Sequence, residues 1–145
     1  MNYAFQTKHQ ENIAKAYGSA LSISTKKSIE ICNSIRGKPV QKAKNFLEAV
    51  IKKEKAVPIK RFGRDTAHKK EIGAGKFPIV AADQILKLIQ SAESNAQNKG
   101  LDVKKLVIEH INANKASQPW HYGRKRRSRM KRTHIQIVLK EDKKW

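Results

Sequence analysis

A single cysteine, Cys32, is all the thiol chemistry this 145-residue chain holds. That excludes an internal disulfide framework, leaves too few thiols for the usual structural zinc sites, and points to a reducing compartment. Long apolar runs are missing as well. No stretch approaches membrane-spanning length, and Met1 to Gln10 lack the apolar segment of a secretion signal, so a cytosolic protein is expected. Acidic residues are scarce. Asp65, Glu71 and Asp83 stand apart among basic residues, whereas a metal-dependent nuclease needs clustered carboxylates. The histidines, His9, His68, His110, His121 and His134, are scattered, with no pair at metal-ligand spacing. Asp65 and His68 would share a helical turn as an acid–base pair, but they sit in a glycine-punctuated basic loop, and a general base needs a held geometry. Gly73-Ala-Gly-Lys76 falls short of a phosphate loop, since Phe77 follows the lysine and no strand is evident before it. No internal repeat or low-complexity tract is present. The expectation is a protein that is not an enzyme, with no cofactor and no metal.

What the chain has is positive charge. Lysine and arginine number 32 against 12 aspartates and glutamates, a formal charge of +20, and the pI of about 10.3 is that of a nucleic-acid-binding domain. Phosphate is the expected partner. The charge is densest from Trp120 to Arg132, where Arg124, Lys125, Arg126, Arg127, Arg129, Lys131 and Arg132 have almost nothing apolar between them. Cations this crowded repel one another, so the segment is expected to lie splayed and solvated until a polyanion neutralises it. Two apolar, β-branched runs flank it, Leu106 to Ile111 and His134 to Leu139, and they predict strands. A basic loop between paired strands is an arm. With about 12 residues per limb at about 3.3 Å each, its tip reaches roughly 40 Å at most. Two other readings of such a run are a disordered solvated loop and a localisation signal. Trp120, His121 and Tyr122 are flat rings suited to stacking on unpaired bases; packing within the hairpin is the alternative for Trp120 and Tyr122.

Taken in order, Ala20 to Ser24 alternate apolar and polar as a short strand, with Gly18 as the turn before it. Ser24 or Thr25 caps a first helix running to Arg36, with Ile29, Cys32 and Ile35 on one face and Gly37 ending it. That placement makes Cys32 a small core residue, a reactive thiol being the other reading. Pro39 opens a second helix, in which Val40, Ala43, Phe46, Leu47, Val50 and Ile51 follow helical spacing to about Lys55. Its lysines, Lys42, Lys44 and Lys52, read as a solvated surface, with direct RNA contacts as the alternative. From Ala56 to Phe77 periodicity vanishes, while Lys60, Arg61, Arg64, His68, Lys69, Lys70 and Lys76 accumulate. A loop this long predicts a second RNA-contacting segment, with a mobile loop of no special role as the alternative. Pro78 opens a third helix lined by Ala82, Ile85, Ile89, Ala92 and Ala96, to about Lys99, with Gly100 as its cap. In the last strand Ile135, Ile137 and Leu139 point to one side and Gln136 and Lys140 to the other, so one face packs and one is wet. The expected fold is α+β: three helices packed on a small three-stranded antiparallel sheet, with a long basic β-hairpin arm. One domain spans 1–145, with a body of about 13–112 and 134–142 and an arm of about 113–133.

Five segments in this order and spacing carry a resemblance: Ile23-Ser-Thr-Lys-Lys-Ser-Ile-Glu-Ile-Cys-Asn-Ser-Ile-Arg-Gly37, Val57-Pro-Ile-Lys-Arg61, Ser91-Ala-Glu-Ser-Asn-Ala96, Lys99-Gly-Leu-Asp102 and Thr133-His-Ile-Gln-Ile-Val-Leu139. The chain resembles, over nearly its whole length, the universal large-subunit ribosomal protein family numbered twenty-two, in its archaeal and eukaryotic branch, whose eukaryotic members are numbered seventeen. The resemblance implies a structural role in the cytoplasmic large subunit: binding large-subunit ribosomal RNA, supporting assembly, and sending the arm along the nascent-peptide exit tunnel. It implies neighbouring large-subunit proteins and the nascent polypeptide as partners, with no membrane and no homo-oligomer. Lys60, Arg61, Arg64, His68, Lys69, Lys70, Lys76, Lys115, Trp120, His121, Tyr122 and the seven arm cations are the expected RNA contacts. Other readings are an RNA-processing enzyme or its accessory subunit, and a free nucleic-acid-compacting protein. The arm departs from the family pattern of Pro-Arg-Ala-x-Gly-Arg: Pro119, Gly123 and Arg124 match, while Trp120 and His121 replace the Arg-Ala. The segment between Lys115 and His134 is also several residues shorter than usual, so the tip is expected to reach less deeply.

Overall fold

Apolar residues three and four apart bury one stripe of each helix, and β-branched alternation buries one face of a sheet, so the two kinds of element close on a common core. The computed structural model describes Phe5, residues 12–63 and residues 65–142. Helix α1 spans Thr25–Ile35, α2 Val40–Ile51 and α3 Ile79–Asn98. The main sheet consists of β1 (Ile13–Leu21), β5 (Leu106–Lys115) and β6 (Thr133–Glu141), antiparallel in the order β1-β6-β5. Ile135, Ile137 and Leu139 of central β6 lie fully buried beside Ile108 and Ile111 of β5 and Ile85 and Ile89 of α3. A bulge at Glu109 shifts the β5 register between Ile108 and His110, and this lets Ile108 and Ile111, three residues apart, both reach the core.

Both edges of this sheet are partly covered by side chains and turns. On the β5 side Gly37, at φ 74°, ends α1; its N–H donates to the Ile108 carbonyl at 2.8 Å, and the Arg36 guanidinium donates to the Ile111 carbonyl at 2.7 Å. On the β1 side Asn95 and Lys99 of α3 donate to the carbonyls of Lys15 and Ile13, at 3.0 and 2.9 Å. Unpaired edges invite pairing with other chains, and these contacts remove part of that opportunity.

Several expectations need correction. The first strand is Ile13–Leu21, and Ser22 to Ser24 lead directly into α1. Its inward residues are Ala14 and Ala16, too small to announce an apolar face in sequence. Gly18 lies within the strand instead of at a turn before it. A Cβ there would meet Leu21 Cδ1 at 2.8 Å and Leu88 Cδ2 at 3.3 Å, so the glycine admits α3 close to the sheet. In α1 the buried stripe is Ser28, Ile31, Cys32 and Ile35, and Ile29 is only half-buried beside it. Helix α2 stops at Ile51, ahead of Lys53 at φ 65°, and does not run to Lys55. Residues 56–77 are not a structureless loop: β2 (Val57–Pro58), β3 (His68–Lys69) and β4 (Gly73–Lys76) form a second sheet in the order β2-β4-β3. Strands of two to four residues are too short to show alternation. The outer face of the main sheet is drier than expected, since Val138 is fully buried there, Gln136 nearly so, and Phe5 stacks on His110 with centroids 4.7 Å apart.

Candidate nucleic-acid interface

The arm continues the β5–β6 ladder beyond Lys115 and Thr133. Ala116 donates to the Arg132 carbonyl at 3.1 Å, Met130 to that of Pro119 at 2.8 Å, and His121 to that of Ser128 at 2.9 Å, with Trp120 paired to Arg129. The register slips by one residue between the first of these contacts and the others. A short 3-10 turn at Gly123–Lys125 closes the tip. The limbs therefore pair while their cations point outward: Arg124, Lys125, Arg126, Arg127, Arg129 and Lys131 are all exposed. No ion pair is formed by any of them with a carboxylate among the described residues. Such a surface holds its charge available for phosphate.

Some arm residues are already engaged within the protein. The Arg129 guanidinium lies 4.3 Å from the Trp120 ring centroid, which fixes both side chains across the hairpin. Trp120 is nonetheless 56% exposed and Tyr122 87% exposed, so both rings keep area for stacking on a base. Arg132 is half-buried; its guanidinium bonds the Ser22 hydroxyl and braces the root of the arm. At the same root the Thr133 hydroxyl donates to the Ile23 carbonyl at 2.9 Å and lies 2.8 Å from the Thr25 hydroxyl, tying the start of β6 to the start of α1.

The second basic segment is anchored by a residue that the sequence did not reveal. Glu30, 2% exposed on α1, accepts the backbone N–H groups of Lys60, Arg61 and Phe62 at 3.2, 2.7 and 3.3 Å. One buried carboxylate thus fixes the path of the chain just where Lys60 and Arg61 turn outward, both exposed. Lys26 and Arg61 each lie 5.5 Å from the Phe62 ring centroid. Farther on, His68 and Lys69 sit in β3 and Lys76 in β4, with Lys69 5.4 Å from the Phe77 ring; His68, Lys70 and Lys76 are exposed, and Arg64 lies outside the described residues. Phe62 faces the arm root across a cleft shared with Lys26, Lys115 and Lys131. The two basic segments, read separately in sequence, meet there. Nothing in sequence spacing signals that meeting, because it depends on how α1 packs between them.

The remaining chemistry is inert or structural. Cys32 is 1% exposed, and burial pushes its thiol up to about 12 against a smaller opposing pull from Arg36, so it is a core residue and not a nucleophile. His110 is held below the ordinary histidine value, first by burial and then by Arg36, with Glu109 acting the other way. Asp65 and His68 share no helix, and Gly73 to Lys76 form a strand instead of a phosphate-binding turn. Among the described residues no three His, Cys, Asp or Glu side chains converge to hold a metal, and no helix is long and apolar enough to cross a membrane.

A small α+β body whose unpaired cations crowd onto a projecting hairpin defines the class of polyanion-binding proteins with a basic arm. The chain belongs to the family described as ribosomal protein L22p/L17e, which matches residues 16–140. It is 43% identical to the large ribosomal subunit protein uL22 of Methanosphaera stadtmanae, over 96% of each chain. It is 41% identical to the protein of that name in Methanopyrus kandleri, over 90% of this chain and 88% of the other. The uL22 of Staphylothermus marinus is 36% identical over 97% and 96%.

Proposed function

We propose that this chain is a structural constituent of the large ribosomal subunit in the cytoplasm, one that binds large-subunit ribosomal RNA and performs no catalysis. Family membership supports the subunit, and the observation that carries RNA binding is the row of exposed, carboxylate-free cations from Arg124 to Lys131 on a paired hairpin. The body, about 13–112 and 134–142, docks through Lys60, Arg61, Arg64, His68, Lys69, Lys70 and Lys76. The arm, about 113–133, enters between RNA segments. There Lys115, Arg124, Lys125, Arg126, Arg127, Arg129, Lys131 and Arg132 neutralise crowded phosphates, and Trp120, His121 and Tyr122 meet bases. A strut of this kind fixes the relative positions of the segments it touches and so supports assembly. The finer reading places the arm along the nascent-peptide exit tunnel, beside the nascent polypeptide and neighbouring ribosomal proteins, with a tip that stops short of the usual depth. The RNA-processing alternative finds no support in the family.

The experiment is sedimentation of a tagged chain from cell lysate at low salt. Stoichiometric recovery with the large subunit is expected, released as salt rises. A chain that stays in the light fractions at low salt overturns the proposal.

A further inference from the structure

A cleft of about 440 Å³ opens at the root of the arm, lined among others by Lys26, Ile29, Phe62, Lys115, Gln118 and Lys131. Three features bear on what it takes. First, Lys26, Lys115 and Lys131 are exposed and form no ion pair with a carboxylate among the described residues, so the cleft has the charge for a phosphodiester. Second, half-buried Phe62 and Ile29 supply apolar surface, and half-buried Gln118 adds an amide that both donates and accepts, the combination that meets a base or ribose. Third, the walls are held before any ligand arrives: Glu30 fixes the backbone at Phe62, and the Thr25–Thr133–Ile23 hydrogen bonds fix α1 against the arm root. A preformed site spends little free energy on ordering when it binds.

Size decides which nucleic acid fits. The volume falls in the range of small-molecule clefts, about 300–1,000 Å³, too small for a duplex and ample for one nucleotide. We propose that this cleft takes a single unpaired nucleotide of the bound RNA, with its phosphate among Lys26, Lys115 and Lys131 and its base against Phe62 and Ile29. This rests on the reading of the chain as an RNA-binding ribosomal protein and adds to it: the root of the arm reads strandedness.

The test measures binding of the full chain to a 12-nucleotide oligouridylate and to a 12-base-pair RNA duplex. Phe62→Leu keeps the charge and most of the apolar volume. It is expected to lower single-strand affinity about tenfold and leave duplex affinity within about twofold, since only an unpaired base loses its aromatic partner. The exposed-site pair Lys26→Gln with Lys131→Gln is expected to lower single-strand affinity more than duplex affinity, at an unchanged melting temperature. Equal weakening of both RNAs, or no weakening of either, in both variants overturns the cleft proposal. That result stands apart from failure of the wider reading, which is seen only as absence of the unmodified chain from large subunits.

Discussion

Glu30→Ala removes a carboxylate buried against three backbone N–H groups, so the amides of Lys60, Arg61 and Phe62 lose their side-chain acceptor. Hydrogen bonds to a charged acceptor contribute about 1.5–3 kcal/mol each and are not additive, which puts the expected loss at about 3 kcal/mol in urea unfolding. Unchanged stability would show that the loop is held by other contacts. His110 gives a second handle. Its folded value lies below the ordinary 6.5, so the unfolded chain binds the extra proton. The contribution of neutral His110 is present above pH 6.5 and is lost as pH falls through 6.5 toward the lower folded value. The Tm should therefore drop more between about pH 7.5 and 5.5 in the unmodified chain than in His110→Gln, and parallel profiles would contradict this. At this scale the sequence was legible where burial follows periodicity: Cys32 reads as core because Ile35 repeats its face. Glu30 was not legible. An acid on a helix reads as solvated unless the chain that covers it is known, and here that chain lies about thirty residues away.

Among the elements, the three helices and the two long strands announced themselves through apolar spacing, and the arm through the cations between them. The first strand and the small sheet did not. Ala14, Ala16 and Gly18 form the inward face of β1 because α3 packs close, and small residues carry no hydrophobic alternation. The small sheet pairs strands of only two to four residues, placed by Glu30 and the body beneath. Among the described residues, the arm's side-chain hydrogen bonds to the body lie at its root, through Ser22, Ile23 and Thr25. Replacing residues 117–131 by an Asn-Gly turn should therefore leave the Tm within a few degrees of the unmodified chain while abolishing large-subunit association in the sedimentation assay. A collapse of the fold would mean that the arm stabilises the body; full association without it would mean that the body alone binds.

For the molecule as a whole, charge decides the behaviour. An excess of +20 carried largely on exposed lysines and arginines is tolerable because most of these side chains are solvated. If about eight phosphates are neutralised, the logarithm of RNA affinity falls against the logarithm of salt with a slope of roughly −6 to −7. A slope near −2 would limit the interface to a few contacts and leave the arm unused. Fold class and partner class were both legible at this scale, since composition, strand patterning and the five family segments agree. The junction of arm and second basic segment was not, because contact between them is a property of packing. The most direct measurement is a density map of the native large subunit that traces residues 113–133. A structural arm requires the guanidiniums of Arg124, Arg126, Arg127 and Arg129 to lie within hydrogen-bond distance of RNA phosphates. The same guanidiniums turned to open solvent, with no RNA beside them, would contradict it.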